Sequence, residues 1–249
     1  KMTRFRAQFY GSIIYGAKFG FVQGQGRGLD QGEPRGRGYP SRVPKPKITV
    51  LTQEQLDALL EAAKGTRFYA LLYVLAYTGL RLGEALALKW EDVDLDRGVL
   101  FIVGETKTEE SVRAVGLDDD TVAVLRRHKK EQEWLKRMEG PRYENQGLVF
   151  TTERGTSPSP SNLRNRYLYP LCEKAGVPRV NFHALRHTHA SLLLTANVHP
   201  KIVSERLGHA SIETTADRYQ HLFPTLQAAA LEQYKALREE ARRRTENAG

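Results

Sequence analysis

Cysteine is nearly absent from this sequence, in which Cys172 is the single example among 249 residues. One thiol cannot form an intrachain disulfide and is too few for a structural zinc site of the usual kind, so nothing indicates an oxidising compartment. Long hydrophobic runs are also missing, since no stretch approaches the roughly 20 apolar residues of a membrane span. The first residues, KMTRFRAQFYGS, contain no apolar signal-peptide core. These absences predict a cytoplasmic globular protein with no membrane partner.

Acidic residues are scarce in the first 48 positions, which contain ten basic and two acidic side chains. This segment therefore carries +8 of the formal net charge of +9, and the rest of the chain is almost neutral. A basic, glycine-rich arm favours a polyanionic partner, most simply a nucleic acid, because neutralising phosphates releases counterions. A merely solubilising tail would have a similar composition, so charge alone leaves both interpretations open.

The folded part is predicted to begin near Ile48 and to be mainly α-helical with a small antiparallel β-sheet (α+β). Thr52 followed by Gln55 is typical of a capping box that opens a helix. The stretches 98–104 and 111–117 alternate and contain β-branched residues, which predicts a hairpin with ETKTEE at its tip. Helices are expected at about 52–63, 67–77, 80–89, 118–138, 159–175, 182–196, 199–207, 211–218 and 224–244.

The stretch HALRHTHASLLL, residues 183–194, places a polar cluster at the start of an apolar helix. With Asn181 as the N-cap, His183 and Arg186 lie in the first turn, beside free backbone N–H groups that favour an anion. The apolar residues that follow predict a buried helix. Taken singly, each of the three histidines is more simply interpreted as a capping or surface group. His183 and His187 share a face, but no acidic motif joins them, so we expect no metal site.

Further candidate residues lie in three other segments. Arg81 begins an apolar helix after Gly79, and Glu84 three residues later can hold its guanidinium group, although a structural ion pair would look the same. His209 follows a glycine in a turn, Tyr219 lies ten residues later, and Lys107 occupies the hairpin tip.

Together these side chains suit chemistry on a phosphodiester. Two arginines can neutralise the phosphate, two histidines can exchange protons or donate hydrogen bonds, a lysine can protonate a leaving oxygen, and a tyrosine can attack. No cluster of carboxylates is available in the sequence to hold Mg²⁺. This combination favours covalent phosphoryl transfer that requires neither a metal nor another cofactor.

Four motifs in this order resemble the tyrosine recombinase (phage integrase) family, and the similarity runs from about Leu51 to Leu222. The motifs are TGLRLGE, HALRH, LGHASIETT and DRYQH. The resemblance implies the tyrosine recombinase catalytic-domain fold and a site-specific recombinase that cleaves and rejoins DNA through a 3′-phosphotyrosyl intermediate without ATP. The residues within and between these motifs are more similar to those of integrases of phages and integrative elements than to those of chromosome-dimer resolvases.

The resemblance also implies a role for each candidate residue. Arg81 and Arg186 would bind the non-bridging oxygens of the scissile phosphate, with Glu84 supporting the first arginine. His183 would act as base toward the tyrosine, and His209 would hydrogen-bond the phosphate. Lys107 would be the general acid for the 5′-hydroxyl, and Tyr219 would be the nucleophile.

The domain organisation expected from the resemblance has four parts. Residues 1–22 would be a remnant or last helix of a core-binding domain, 23–48 a basic Gly/Pro-rich linker, 49–222 the catalytic domain and 223–249 a tail helix. The tail carries an apolar stripe that either docks on a neighbouring protomer or folds back on its own chain; the stripe is Phe223, Leu226, Ala230, Tyr234 and Leu237. Expected partners are double-stranded DNA carrying recombination sites, a homotetramer on that DNA, and accessory DNA-bending or directionality proteins.

Two other functions remain open at this level. A DNA-binding regulator could keep the fold without catalysis, although it would not need Lys107, His183 and Tyr219 together. An enzyme similar to type IB topoisomerases would use the same chemistry but only relax supercoils.

Overall fold

The computed structural model describes residues 49–103, 112–209, 219 and 223–246. All of these belong to the unit that spans Pro46–Gly249. The predicted arm and linker, the hairpin tip with Lys107 and the predicted helix over 211–218 lie outside the described residues.

Three helices open the unit, and their bounds are α1 (Gln53–Ala63), α2 (Tyr69–Thr78) and α3 (Leu82–Ala87). The predicted capping box is present, because Thr52 accepts a hydrogen bond from the Gln55 N–H and the Gln55 side chain accepts one from the Thr52 N–H. Helix α2 is apolar on nearly every side and is correspondingly buried. It ends at Gly79, whose φ of 68° is the left-handed conformation that glycine adopts readily.

A three-stranded antiparallel sheet follows, with the order β1 (Val93–Asp94), β2 (Val99–Val103) and β3 (Val112–Gly116). Strands β2 and β3 form the predicted hairpin, in register from Val99 opposite Gly116 to Val103 opposite Val112. Strand β1 is not predicted from the sequence, because two residues are too few to show an alternating pattern. Leu100, Ile102 and Val115 turn one face of the sheet into the core.

Helix α4 (Asp119–Glu139) follows the N-cap residue Asp118, whose side chain accepts a hydrogen bond from the Thr121 N–H. The next helical segment, α5, was expected to be one regular helix over 159–175. It consists instead of an α-helical turn (Pro160–Asn162), a π-helical stretch (Leu163–Leu168) and a final α-helical part (Tyr169–Lys174). Pro170 explains the interruption, since it has no N–H to donate to the preceding turn and its ring needs extra space there.

Helix α6 (Phe182–Thr195) starts at the predicted N-cap, where Asn181 accepts a hydrogen bond from the Ala184 N–H. It packs against α2 and against α7 (Pro200–Leu207), which ends in a left-handed conformation at Gly208. The expected burial of α6 is confirmed, and it extends to polar residues, since Arg186, His187, Thr188 and His189 are all buried.

Helix α8 (Phe223–Glu246) forms the tail. Its large apolar residues Leu231, Tyr234 and Leu237 are 54%, 58% and 64% exposed. Among the described residues, no helix is long and apolar enough to cross a membrane. The expected fold class, mainly α with a small antiparallel sheet, is confirmed.

Candidate active site

Arg186 lies in the first turns of α6 with its guanidinium group inside the protein. The residue is only 2% exposed, and it donates hydrogen bonds to the carbonyl oxygens of Gly79 (2.7 Å) and Leu207 (2.6 Å). Burial, followed by the positive charge of nearby Arg81, lowers the pKa of Arg186 to about 10. The group still stays charged near neutral pH, and the two carbonyl dipoles that hold it carry no full negative charge. An anion that docks beside it would therefore be strongly favoured.

Arg81 approaches the same place from α3. Its Nη2 points at the Gly208 carbonyl oxygen at 3.5 Å, next in sequence to the Leu207 carbonyl that holds Arg186. Its side chain is 47% exposed, so part of the guanidinium group is open to a ligand. The loop that ends α7 thus brings the arginines of two distant motifs together.

Glu84 holds Arg81 in the way the sequence suggested. One carboxylate oxygen accepts from Arg81 Nη1 at 2.8 Å and the other accepts from the Arg81 backbone N–H at 2.8 Å. Burial alone would raise the pKa of Glu84, but hydrogen bonds from Arg113 and from Arg81 outweigh it and lower that pKa. Glu84 is consequently ionised, as support for an arginine requires.

Arg113 on β3 is a site residue that the sequence analysis missed. Its Nη1 and Nη2 donate to the two carboxylate oxygens of Glu84 at 3.0 and 2.7 Å. It also packs so closely on Gly208 that a β-carbon there would lie 2.6 Å from Nη1. In the sequence, Arg113 is visible only as a basic residue within a half-buried strand. The fold shows that it shares the Glu84 carboxylate with Arg81.

Tyr219 lies between α6 and α7, with its ring packed in an apolar cluster. Ala190, Leu194, Val203 and Leu207 form the buried part of that cluster, and Tyr219 itself is 2% exposed. Its hydroxyl oxygen lies 2.7 Å from Nδ1 of His187, which is also buried. A negative charge on Tyr219 would raise the pKa of the Arg186 guanidinium group.

The histidines of the first α6 turns occupy different environments. His183 is exposed, and its ring contacts the ring of His187 edge-to-face with centroids 4.5 Å apart. The prediction left open that His187 and His189 are surface groups, and this is wrong for both, since they are 5% and 6% exposed. His209 follows Gly208, and its backbone N–H donates to the Ser204 carbonyl oxygen at 3.1 Å.

His189 anchors the two chain segments whose carbonyls hold Arg186. Its Nε2 accepts a hydrogen bond from Arg206 Nε at 3.1 Å, and Arg206 Nη2 donates to the Tyr77 carbonyl oxygen at 3.0 Å. Burial, and next the charge of Arg206, lower the pKa of His189 to about 3, so the ring is neutral in the folded protein. His189 therefore joins α6 to α7 and to the end of α2.

The structure thus brings together Arg81, Glu84, Arg186 and Tyr219, with His209 next to the Gly208 turn. His183 lies at the outer edge of this group, and Lys107 belongs to the part of the hairpin that is not described. No group of three or more His, Cys, Asp or Glu side chains suited to a metal ion occurs among the described residues.

The comparisons agree with this geometry. The sequence matches the Phage integrase family over residues 49–225, and the chain belongs to that family. It is 35% identical to a tyrosine recombinase XerC-like protein of Caldanaerobacter subterraneus, over 78% of this chain and 56% of the relative. It is 31% identical to the ICEBs1 integrase of Bacillus subtilis, over 72% of this chain and 49% of the relative. The chain thus spans about half the length of the curated relatives it matches.

Solved structures give the same assignment of the fold. The crystal structure of the XerA recombinase is 30% identical and has a TM-score of 0.63, covering 77% of this chain and 66% of that chain. The XerH recombinase bound to its difH substrate is 26% identical with a TM-score of 0.58, over 73% of this chain and 53% of that chain. The Tn1549 transposon integrase in complex with transposon DNA has a TM-score of 0.65 at 21% identity and supports the fold alone, over 77% of this chain and 68% of that chain.

Proposed function

We propose that this chain is the DNA-cleaving and rejoining part of a tyrosine recombinase that integrates or excises a phage or mobile element. The observation that carries the proposal is the convergence at the 207–208 turn. Arg186 and Arg81 contact the consecutive carbonyl oxygens of Leu207 and Gly208, and the buried ring of Tyr219 belongs to the same apolar cluster as the Leu207 side chain. Two guanidinium groups and a tyrosine gathered at one turn are the elements needed to transfer a phosphoryl group to tyrosine.

In this proposal the arginines bind the scissile phosphate. Each would donate to a non-bridging oxygen and would stabilise the negative charge that builds up as the fifth oxygen approaches phosphorus. Because Arg186 is already fixed by two short hydrogen bonds, little reorganisation is needed when the phosphate arrives. Glu84 keeps Arg81 in place, and His209, in the same turn, would donate a hydrogen bond to the phosphate.

Tyr219 would attack the phosphorus and displace the 5′-oxygen, leaving a 3′-phosphotyrosyl link. Lys107 would protonate the leaving oxygen. The link keeps the energy of the phosphodiester, so a second 5′-hydroxyl can reverse the reaction on a new strand without ATP. Double-stranded DNA is the substrate in this proposal, and a homotetramer assembled on two sites, with accessory bending or directionality proteins, would allow exchange between them.

The experiment incubates the chain with a pool of nicked DNA duplexes whose central sequence is randomised. Covalent protein–DNA adducts are separated under denaturing conditions, and the DNA in them identifies the selected duplex and its site. The wild-type chain should form adducts in excess EDTA, because the arginines supply the charge stabilisation that a metal would otherwise provide. Tyr219→Phe should form none while retaining DNA binding, since it loses only the attacking oxygen. Persistent adducts in Tyr219→Phe would move the nucleophile elsewhere, with Tyr167, Tyr169 and Tyr234 as the next candidates.

The two alternative functions, a DNA-binding regulator and a topoisomerase-like enzyme, predict different outcomes of adduct capture and of plasmid assays. A DNA-binding regulator would retain DNA from the pool without any adduct. A topoisomerase-like enzyme would form adducts and relax supercoiled plasmid, but would not recombine plasmids carrying two copies of the selected site.

A further inference from the structure

Arg206 is, like Arg186, an arginine whose guanidinium group binds acceptors inside the protein, and the sequence analysis gave it no role. It lies in the last turn of α7 and is half-buried. Its Nη2 donates to the Tyr77 carbonyl oxygen at 3.0 Å, and its Nε donates to Nε2 of His189 at 3.1 Å. Neither acceptor is a carboxylate, so these contacts are not those of an ordinary surface ion pair.

The Tyr77 carbonyl can accept this bond because of its place at the end of α2. The last four carbonyl groups of a helix have no N–H partner within that helix, and α2 ends at Thr78. A positive charge also interacts favourably with the negative end of the helix dipole. Arg206 therefore caps α2 from another helix, 129 positions later in the sequence.

Arg186 and Arg206 bridge the same pair of chain segments. Arg186 joins the carbonyl oxygens of Gly79 and Leu207, at 2.7 and 2.6 Å. Arg206 immediately precedes Leu207 in the chain, and it binds Tyr77, which lies two positions before Gly79. The bond from Arg206 to Tyr77 thus limits the separation of the two carbonyl groups that hold Arg186.

Close packing also keeps these segments in place. A β-carbon on Gly79 would lie 2.7 Å from Cδ2 of His189 and 2.7 Å from Cδ2 of Leu207. His189 is 6% exposed and is thus enclosed between the end of α2 and α7. Because the same imidazole accepts from Arg206, it fixes the direction in which the guanidinium group points.

From this geometry we propose that Arg206 is a positioning residue for Arg186, and that His189 holds Arg206 in the orientation that this role requires. The inference rests on the proposed function above, in which Arg186 binds a non-bridging oxygen of the scissile phosphate. Arg206 does not touch the phosphate and acts only through the carbonyls that hold Arg186. A displacement of a binding group by about 1 Å can slow a reaction by about 100-fold, so this support matters for the rate.

The first test uses the full chain without DNA. It measures hydrogen exchange of the Arg186 guanidinium protons by NMR of isotope-labelled arginine, assigned by comparison with Arg186→Lys. Exchange should be slow in the wild type, because both donors are bonded inside the protein, and about 10-fold or more faster in Arg206→Met. The matched control is Lys201→Met on the same helix, whose side chain is 64% exposed and which should keep the wild-type exchange. Unchanged exchange in Arg206→Met would overturn the inference.

The second test compares cleavage with DNA binding. At a saturating concentration of the selected nicked duplex, Arg206→Met should form adducts about 10- to 100-fold more slowly than the wild type. Its affinity for the duplex should match that of Lys201→Met, which removes one positive charge from the same helix. Equal rates of adduct formation in Arg206→Met and Lys201→Met would overturn the inference.

Substitutions of His189 give a second route to the same answer should Arg206→Met fail to fold. His189→Gln keeps an oxygen that can accept from Arg206, whereas His189→Leu has no acceptor. We therefore expect His189→Gln to retain more of the cleavage rate than His189→Leu at equal DNA saturation. Equal rates in the two variants would contradict a role of His189 in holding Arg206.

The third test separates the positioning of Arg186 from a general structural defect. A methylphosphonate at the scissile position replaces one non-bridging oxygen by a neutral methyl group, and its two stereoisomers differ in which oxygen is replaced. Arg186→Ala should show its smallest defect on the isomer that lacks the oxygen bound by Arg186, and Arg206→Met should show its smallest defect on the same isomer. A general folding defect would lower the rate on the phosphodiester and on both isomers by the same factor. That outcome for Arg206→Met would overturn the inference.

Failure of this inference and failure of the proposed function are distinguishable. If the wild-type chain forms adducts but Arg206→Met cleaves as fast as Lys201→Met, only the role of Arg206 fails. If the wild-type chain forms no adduct with any duplex of the pool, the proposed function fails. The catalytic role of Arg206 then fails with it, even where the exchange measurement shows that Arg206 holds Arg186 in place.

Discussion

The guanidinium group of Arg113 holds both carboxylate oxygens of Glu84, at 3.0 and 2.7 Å, and the same carboxylate holds Arg81. One side chain of the sheet is thus tied through Glu84 to a proposed phosphate-binding arginine on α3. The side chains of Arg113 and Glu84 are 18% and 16% exposed, so water screens the pair only in part. Arg113 also packs on Gly208, which joins the hairpin to the turn where the two arginines meet.

We predict that Arg113 and Glu84 are coupled in stability. In a double-mutant cycle with Arg113→Met and Glu84→Gln, chemical unfolding should give a coupling free energy of about 1 to 3 kcal/mol. The matched control is the ion pair of Arg126 with Asp96, whose side chains are 54% and 94% exposed, and which should give less than about 1 kcal/mol. Equal coupling in both cycles would contradict a special role for the partly buried pair.

Much of this arrangement could be predicted from local sequence signals. Thr52 and Asn181 cap their helices as expected, Gly79 ends α2, and Glu84 holds Arg81, because each depends on residues within a few positions of one another. The family resemblance supplied the set of site residues.

The sequence could not show contacts between distant segments. Arg113 reaches Glu84 across 29 positions, and the partner of His187 lies 32 positions away. The spacing of His183 and His187 predicts that they share one helix face. On its own, that spacing raised only the question of a metal site. The loop carbonyls that hold Arg186 are also invisible in a sequence, because any residue type provides a carbonyl oxygen.

A second prediction concerns Lys107 at the hairpin tip. Val103 pairs with Val112, so the two ends of the connection that contains Lys107 lie side by side. Lys107→Ala should cleave normal DNA slowly, and should recover most of its rate when sulfur replaces the 5′-bridging oxygen, because a thiolate leaves without a proton. Arg81→Ala is the control and should not be rescued, since its defect concerns charge on the phosphate. A lysine variant without rescue would make Lys107 a phosphate contact and place the acid elsewhere.

A third prediction follows from the buried His189. Its pKa is about 3 in the folded chain against about 6.5 for an ordinary histidine, so between these values the unfolded chain binds a proton that the folded chain does not. The free energy of unfolding should therefore fall as the pH drops from about 6.5 toward 3, and this residue should contribute a slope of about 1.4 kcal/mol per pH unit.

Urea unfolding of wild type and His189→Gln at several pH values across this window measures that slope. The variant, whose amide oxygen can still accept from Arg206, should lack this contribution and should lose less stability on acidification. Parallel pH dependences in wild type and His189→Gln would contradict a lowered pKa of His189 in the folded chain.

The last prediction concerns the tail helix α8, which we propose docks on a neighbouring protomer. Of the predicted apolar stripe, Tyr234 and Leu237 are 58% and 64% exposed, and Leu231 on the same helix is 54% exposed. Large apolar side chains exposed together on one helix are typical of a surface that another chain covers. If the helix folded back on its own chain, these side chains would be buried instead. They are exposed, so no other described residue of the chain covers them.

Truncation after Leu222 should leave binding to a single DNA site nearly intact but prevent assembly of larger protein–DNA complexes. The size of the complexes on the selected duplex is measured by size-exclusion chromatography with light scattering. The double substitution Tyr234→Glu with Leu237→Glu should have the same effect, because buried charges would oppose docking. Glu239→Ala, at an exposed position of the same helix, serves as the control and should assemble like wild type. If the truncated chain forms tetrameric complexes and exchanges strands at the wild-type rate, docking between protomers is wrong. If it assembles normally but loses thermal stability, the helix packs on its own chain in solution.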